Sequence, residues 1–570
     1  MFDLDRIEEC FPKNQFRDGQ KKAIEFACNA FNEGVKVVVL ECPTGSGKSA
    51  IGMTLANLVQ SSYYLTITKI LQDQLMDDFG DQVIELKGRN AYPCDFYERN
   101  KKKLTEGKLM TLEKVNQKIE DKPNCANGWC KSKLGRQDGH KCSSCFLKVP
   151  EYPGVPKGDL NRLPADKSYS ACPYYDQVFR AINGKTVCMN FSSFLYQTMM
   201  TKRFDPQRQL MIIDEGHNTE GVLLDIVSFV ISSQMLNDFG LMTPRYETAQ
   251  EYYDWMKQEQ LFEIVALALE EAKAREDGKE EEDLGRLVKK IAQFMKSSEN
   301  TEWVCQISEI DDSRHFSVEF KPVFVRDFVD SLLFKYAERV VVMSATILDI
   351  DVFCNSLGLK KEEVATYRMK NRFPVENRPI YIHDCGSLTG GKGRMHEWMP
   401  RVVEAVDAIC DYYPDKRGVI HTHNFAILDG LMDKCSNKYR FVSQREYPDK
   451  KVLLEVHASR DDSILVAPAM HEGVDLNNDL SRFQIIGKVP FPNFFDNKQL
   501  NRRNKLDPAY IGWLTALKLV QSYGRSIRGP EDYADTYIID GSIYGFLKRS
   551  GNMLPSWFIE ALQEKNIFKM

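Results

Sequence analysis

The sequence predicts an α/β protein of two parallel-sheet halves, interrupted by a cysteine-rich insertion and a mostly helical one. Three observations predict it. Short β-branched and aliphatic runs alternate with stretches apolar at helical spacing, first over the N-terminal half and again from Pro379 onward. The first such run, residues 35–40, opens into Glu-Cys-Pro-Thr-Gly-Ser-Gly-Lys-Ser at 41–49 and then into a helical stretch at 50–60. Six of the fifteen cysteines fall within one polar segment after the phosphate loop.

Strand, glycine-rich turn and helix together make a phosphate cradle. The pattern G-x-x-x-x-G-K-[ST] wants a small first residue, and Cys42 stands there; from Gly45 the match is full through Gly47, Lys48 and Ser49. Glycines let successive backbone N–H groups turn onto phosphate oxygens, and the helix N-terminus adds partial positive charge. Thr44, Gly45, Ser46 and Gly47 line this cradle. Lys48 would reach the β- and γ-phosphates of ATP, and the Ser49 hydroxyl would take one Mg²⁺ position.

At 570 residues the chain is long enough for several domains. Charged residues make up 28% and the net charge is −5, so a nucleic-acid groove has to be a local basic track. No apolar run approaches a membrane span, and acids throughout the first residues are unlike a signal or transit peptide. An intracellular, soluble protein without membrane partners is expected.

In chain order, a short amphipathic lead-in precedes Phe16-Arg17-Asp18-Gly19-Gln20 and a helix to Asn32. Gln20 can read an adenine edge through its two-faced amide, or sit solvated at the helix start. A strand at 63–68 and a helix at 69–79 follow. Thr66, Thr68, Lys69 and Gln72 at their junction suit either sugar-phosphate contact or ordinary capping. Cys94, Cys125, Cys130, Cys142, Cys145 and Cys172 then come within one segment. Residues 121–171 hold too few apolar positions to bury a core and need a staple. In a reducing compartment clustered cysteines point to metal, and both zinc and iron–sulfur fit; the CxxC at Cys142 and Cys145 alone leans toward zinc.

Residues 210–213 read as a buried strand ending in Asp214-Glu215-Gly216-His217. Carboxylates at that end of a strand face the ligand crevice. Asp214 would hold Mg²⁺, Glu215 would orient and deprotonate water, and His217 would sense the γ-phosphate. Residues 219–334 are strongly helical. Their acidic run near 270–283 is expected to be a solvated face, and Tyr246, Tyr252, Tyr253 and Trp255 to be core. Residues 340–346 return to strand and end in Ser344-Ala345-Thr346; 373–378 read as a linker. Strands are then expected at 418–421, 463–466, 483–486 and 536–539. The second half has no phosphate loop. It carries His471-Glu472-Gly473-Val474-Asp475 and Gln521-Ser522-Tyr523-Gly524-Arg525-Ser526-Ile527-Arg528, the two arginines on one helical face as a finger pair.

This set, in this order, resembles a superfamily 2 helicase, and more closely the XPD/DinG-like iron–sulfur helicases. The tract Gly88-Arg89-Asn90-Ala91-Tyr92-Pro93-Cys94 with the later Cys172-Pro173-Tyr174-Tyr175 carries the finer match. Gly216 stands where that family usually has alanine, a departure expected to matter little. The resemblance implies two RecA-like motor domains: 1–90, 173–217 and 336–375 for the first, and 376–570 for the second. Within the first it implies an iron–sulfur domain at 91–172 and an arch domain at 218–335. It also implies a 4Fe-4S cluster on Cys94, Cys130, Cys145 and Cys172, with Cys142 and Cys145 as an alternative inner pair. ATP would be held by Gln20, Lys48, Ser49, Asp475 and Gln521 among others, with Arg525 and Arg528 closing from the second half. The activity implied is ATP-driven 5′ to 3′ movement on single-stranded DNA, with duplex unwinding by a monomer and the cysteine module as a wedge. A DNA-stimulated ATPase that remodels protein–DNA complexes without unwinding fits the same motor. The compact build suits a prokaryotic or virus-infected cytoplasm, with a nuclear setting also compatible.

Overall fold

The computed structural model describes residues 2–131, 172–201, 204, 207–275, 278–310, 315–371, 373–388, 395–468, 476, 478–493, 496–527, 529 and 531–563. Cys142, Cys145, Asp475 with the rest of its motif, and Arg528 lie outside them.

Strands β1 (Val37–Glu41), β2 (Ser62–Thr66), β3 (Ile84–Leu86), β4 (Thr186–Asn190) and β5 (Arg208–Asp214) begin the first sheet. The chain then leaves it for an antiparallel sheet of β6 (Phe229–Ser232), β7 (Trp303–Glu309) and β8 (Phe316–Pro322), in the order β6-β8-β7. It returns as β9 (Ala337–Ser344) and β10 (Val364–Arg368). The finished first sheet is parallel, in the order β10-β1-β9-β5-β2-β4-β3. A second sheet contains β11 (Ile380–Ile382), β12 (Gly418–His421), β13 (Phe441–Ser443), β14 (Ile464–Ala467), β15 (Phe483–Ile486) and β16 (Asp535–Ile538). It too is parallel, ordered β11-β16-β15-β12-β14-β13.

The central strands are apolar on both faces because helices cover both sides. Val37, Val38, Val39 and Leu40 are all buried, each stabilising by roughly 1.5–3 kcal/mol over exposure. Register matters more than composition for the site. Glu41 at the end of β1 lies opposite Ser344 at the end of β9, and Met343 opposite Asp214 at the end of β5. Residues some 300 positions apart in sequence thus share one sheet edge.

The expected strands near 35–40, 63–68, 210–213 and 340–346 are present with ends displaced by a few residues, and 418–421 and 483–486 coincide with β12 and β15. The helical insertion carries more strand than its composition suggests. β7 and β8 pair residue for residue from Trp303–Pro322 to Glu309–Phe316, and β8 buries alternate side chains. Tyr252 and Trp255 are core, as expected. The acidic run is not wholly a solvated face. Glu282 accepts from Lys131 of the cysteine segment (2.5 Å) and from the Tyr196 hydroxyl (2.8 Å).

The cysteine segment builds a small core of its own. Tyr97, Leu104, Val115 and Trp129 are buried together, with Phe96 stacked on Trp129 at 5.1 Å. Helices Lys101–Glu106 and Leu112–Glu120 supply part of it. The two lobes are joined by buried contacts. Arg503, wholly buried, pairs with Glu220 at 3.2 Å, and Trp513 donates to the Ile347 carbonyl at 2.8 Å. Burial pushes the Glu220 carboxyl up, and Arg503 opposes that shift.

Candidate nucleotide cleft

The turn between β1 and helix Lys48–Asn57 depends on two glycines. Gly45 and Gly47 both have φ +76°, a region that side chains rarely enter. The loop is braced from below. Arg17 donates to the Gly45 carbonyl (2.6 Å), and the Gln20 amide donates to the carbonyls of Ser46 (2.9 Å) and Gly47 (3.2 Å). The Gln20 oxygen in turn accepts from the Arg17 backbone N–H (2.6 Å). Gln20 is therefore neither solvated nor offering an amide edge to a base: both ends of its amide hold backbone. The strand-to-helix residues behave as capping groups where bonds define them, Thr68 accepting from Leu71 N–H (3.2 Å).

Across the sheet edge, Lys48 Nζ lies 3.6 Å from Glu215 Oε1. Glu215 has φ +50°, an uncommon conformation for a residue with a side chain, held here beside the phosphate loop. Gly216 next to it packs so tightly on β9 that a Cβ there would overlap the Val342 side chain. Glycine instead of alanine at this position is thus matched to its neighbour and not neutral.

Asp214 is buried. It accepts from the Glu215 backbone N–H (3.0 Å) and from the Tyr64 hydroxyl (3.4 Å). Burial, then the Glu215 carboxylate, pushes its carboxyl up to about 6, with Lys48 pulling the other way. Tyr64 also interacts with Ser49, which brings the Ser49 hydroxyl to the same spot. A buried carboxylate with a raised proton affinity, beside a hydroxyl, fits a divalent cation, whose charge relieves the same penalty.

His217 joins the lobes. Its Nε2 faces the amide nitrogens of Asn218 (2.9 Å) and of Gln521 from the second half. Both are donors, so the ring hydrogen sits on Nδ1 and is donated to Ser344 Oγ (2.7 Å). Ser344 Oγ also accepts from the Thr346 N–H (3.0 Å) and donates to its carbonyl (3.2 Å). The expected motif residues His217, Ser344, Thr346 and Gln521 are therefore one hydrogen-bonded chain. Gly524 closes on the phosphate loop so nearly that a Cβ there would sit 3.9 Å from Thr44 Oγ1, and Arg525 lines the same cleft.

Sequence reasoning missed part of the lining of the cleft: Phe373 and Arg378, in a stretch that reads as a linker, and Trp557 on the helix Ser556–Ile559, which join Tyr523 of the second half's motif there. An aromatic residue inside the linker was the available signal. It also missed Glu41, whose carboxylate accepts from the N–H groups of Ile347 and Leu348 (3.1 Å each) and so ties the Ser344–Thr346 turn to β1.

In the cysteine segment, backbone bonds from Cys94 N–H to Pro123 (2.7 Å) and Cys125 N–H to Tyr92 (2.8 Å) set two cysteines side by side. Cys125 Sγ is 3.7 Å from Cys172 Sγ, and Cys94 acts on the Cys125 thiol. Cys172 and burial raise that thiol far above its ordinary value. Cys130 is buried beside Trp129. Among the described residues no group of three potential ligands is arranged as a metal site.

Three family models match the chain: a helicase C-terminal domain over residues 409–561, the res subunit of type III restriction enzymes over 13–141, and DEAD_2 over 155–236. Among solved structures, one titled XPD helicase superposes with a TM-score of 0.59 at 14% identity, covering 95% of this chain and 98% of that one. The chain has the fold of the XPD structures, and its second half matches the helicase C-terminal domain. Xpd4 of S. tokodaii matches this chain with a TM-score of 0.53 at 13% identity, covering 96% and 99%. An apo XPD structure gives 0.53 at 13%, covering 94% and 98%. No curated protein sequence matches. The two parallel sheets have the RecA-like fold of the lobes in those structures, and among the described residues no helix is long and apolar enough to cross a membrane.

Proposed function

We propose that this chain is an XPD-like helicase that couples ATP hydrolysis to 5′ to 3′ movement on single-stranded DNA and separates duplex ahead of it. The observation that carries the ATPase part is the convergence of Lys48, Glu215 and His217 from one lobe with Gln521 and Arg525 from the other on a single cleft.

Lys48 and the loop N–H groups hold the β- and γ-phosphates. Ser49 and Asp214 are the residues that would hold Mg²⁺, which neutralises phosphate charge when bound. Glu215 orients the attacking water and takes its proton. Arg525, with Arg528, meets the charge that spreads over the transferring phosphoryl oxygens. His217 reports the state of the γ-phosphate through Gln521 to the second lobe, so each turnover shifts one lobe against the other.

The cysteine segment is assigned a 4Fe-4S cluster, which would supply the cross-link that its small core lacks. Cys94 and Cys172 are its outer ligands. The inner pair comes from Cys125, Cys130, Cys142 and Cys145; the sequence favours Cys130 with Cys145, while the 3.7 Å approach of Cys125 to Cys172 supports Cys125. The donor set fits the group in being clustered thiols, the ligands that such clusters take. Fluorescent strand displacement beside DNA-stimulated ATPase tests the whole reading. Both activities are expected. ATPase without displacement leaves the remodelling translocase, and neither activity rejects the motor.

A further inference from the structure

The helix Ala509–Tyr523 carries Gln521, and the turn that follows carries Arg525. That turn continues the helix. Gly524 N–H donates to the Val520 carbonyl (3.0 Å) and Arg525 N–H to the Ser522 carbonyl (3.3 Å). Arg525 therefore goes where the helix axis points. One fixed point cannot set an axis. Gln521 is one such point, held against His217 with Thr346 beside it. A rod held only there could swing, carrying Arg525 toward the phosphate loop or away from it.

A second fixed point lies about two helical turns away, on the order of 12 Å along the axis. Trp513, 1% exposed, donates its indole N–H across the lobe boundary to the Ile347 carbonyl (2.8 Å). Any buried indole N–H needs an acceptor; what sets this one apart is the turn to which the acceptor belongs. The N–H groups of Ile347 and Leu348 both donate to one oxygen of Glu41 (3.1 Å each). The other oxygen accepts from Arg368 Nε (2.5 Å), and the same guanidinium donates to the Leu348 carbonyl (2.6 Å). Leu348 has φ +64°, which a residue with a side chain keeps only where its surroundings hold it. Glu41 ends β1 and directly precedes Cys42 at the start of the phosphate loop. Through Ile347, the strand that launches the phosphate loop is thus tied to the helix that presents the arginine.

We infer that Glu41 and Trp513 are positioning residues, which act through the turn at 344–348 to set the reach of Arg525 into the nucleotide cleft. This rests on the ATPase reading above and adds what aims its arginine. The charge that Arg525 meets is greatest in the transition state, so misplacing it lowers kcat and leaves KM nearly unchanged.

The test is steady-state ATP hydrolysis by the full chain with saturating single-stranded DNA, in the wild-type and the Arg525→Ala backgrounds, followed by release of radiolabelled phosphate. Trp513→Phe keeps a buried ring and removes the N–H. It should lower kcat about tenfold and leave KM within about threefold, because small misplacements of a catalytic group cost that much. Glu41→Gln has one acceptor oxygen where Glu41 uses two, and should lower kcat about threefold, again with little change in KM. The two together should cost no more than Trp513→Phe alone, since they break one chain of contacts. In the Arg525→Ala background either change should cost less than about twofold further, because no guanidinium is left to misplace. A merely structural role gives the same fold loss in both backgrounds, and that result overturns the proposal. A loss carried by KM overturns it too, as does an unchanged kcat in both single variants. Circular dichroism identifies a variant that does not fold, and the other variant then decides. Failure of the underlying reading looks different: a folded wild type that hydrolyses no ATP overturns the ATPase and this proposal with it.

Discussion

The nucleotide cleft and the cysteine segment each assemble residues distant in sequence, but different forces hold them. In the cleft, Glu41, Ser344 and Asp214 end adjacent parallel strands whose central residues are deeply buried. The site's geometry is a by-product of a core that would form without it. In the cysteine segment, two backbone bonds set Cys94 beside Cys125, whose sulfur meets that of Cys172, next to a core of four buried side chains. A site on a sheet edge survives loss of any one of its polar groups; a site whose sulfurs are also its fastener does not. Chemistry and architecture should therefore be separable in the first region and inseparable in the second.

The largest effect should come from the cleft's own charges. Lys48→Ala removes the phosphate ligand, and Glu215→Gln leaves binding while removing the base. Each should lower ATP turnover about 10³-fold with the melting temperature moved only slightly, because positioning and charge stabilisation supply the catalysis. Thermal denaturation beside ATPase assays checks this. Unfolding of either variant would mean that the cleft, like the cysteine segment, depends on its polar groups to stand.

Arg525 tests whether the second lobe completes the site. Arg525→Ala should cost roughly 10²–10³-fold in kcat with ATP affinity little changed, since the charge it meets is greatest in the transition state. Arg525→Lys should not restore turnover, because lysine lacks the planar fork. Titration with a fluorescent ATP analogue separates binding from turnover. Near-normal kcat in the alanine variant would confine catalysis to the first lobe.

How much of this was legible follows the same division. The phosphate loop, the Asp214–His217 box and the Gln521–Arg525 tract could be read because their chemistry requires particular residues at close spacing, and β1, β12 and β15 because continuous apolar runs announce buried strands. Gln20 could not be placed. A glutamine near a phosphate loop looks the same in sequence whether its amide faces a base or the loop's own carbonyls. β7 and β8 were hidden inside a helical composition, because pairing between segments is a tertiary fact that local propensity does not carry. Trp557 was invisible for the same reason: the contact that matters is with Tyr523 and Arg378, far away in sequence. Among the cysteines, spacing could not rank Cys125 against Cys130, since only folding brings Cys125 to Cys172.

Gly216 probes the packing beneath the cleft. Gly216→Ala restores the family's usual residue, yet its methyl would overlap Val342. Overpacking of this kind costs about 1–3 kcal/mol, so a melting temperature lower by several degrees is expected. The double variant Gly216→Ala with Val342→Ala should recover part of that loss, the two changes coupling because they share one space. Additive losses in calorimetry would show that the glycine answers to something other than β9.

The smallest effect on ATP turnover should come from the cysteine segment, and there the comparison is sharpest. Cys172 precedes the helix Pro173–Asn183, whose Tyr174, Tyr175, Val178 and Phe179 are buried in the first lobe's core. That helix is anchored without the sulfur. On the other side, Cys125 and Cys94 hang from the bonds to Tyr92 and Pro123, and Tyr97, Leu104, Val115 and Trp129 give the segment a partial core. Cys172→Ser should therefore leave both motor lobes folded and ATP hydrolysis within about threefold of wild type. Bound iron and visible absorbance should fall, and strand displacement should fall with them. The small core should keep residues 96–129 from unravelling, so protease cleavage within them is not expected. Loss of ATPase in step with iron would mean that the sulfurs also hold the motor, and the two regions would then be one structure. Iron-free protein that still displaces strands at the normal rate would detach the cluster from unwinding, and zinc in place of iron in the native protein would replace the cluster while leaving the separation of the two regions intact.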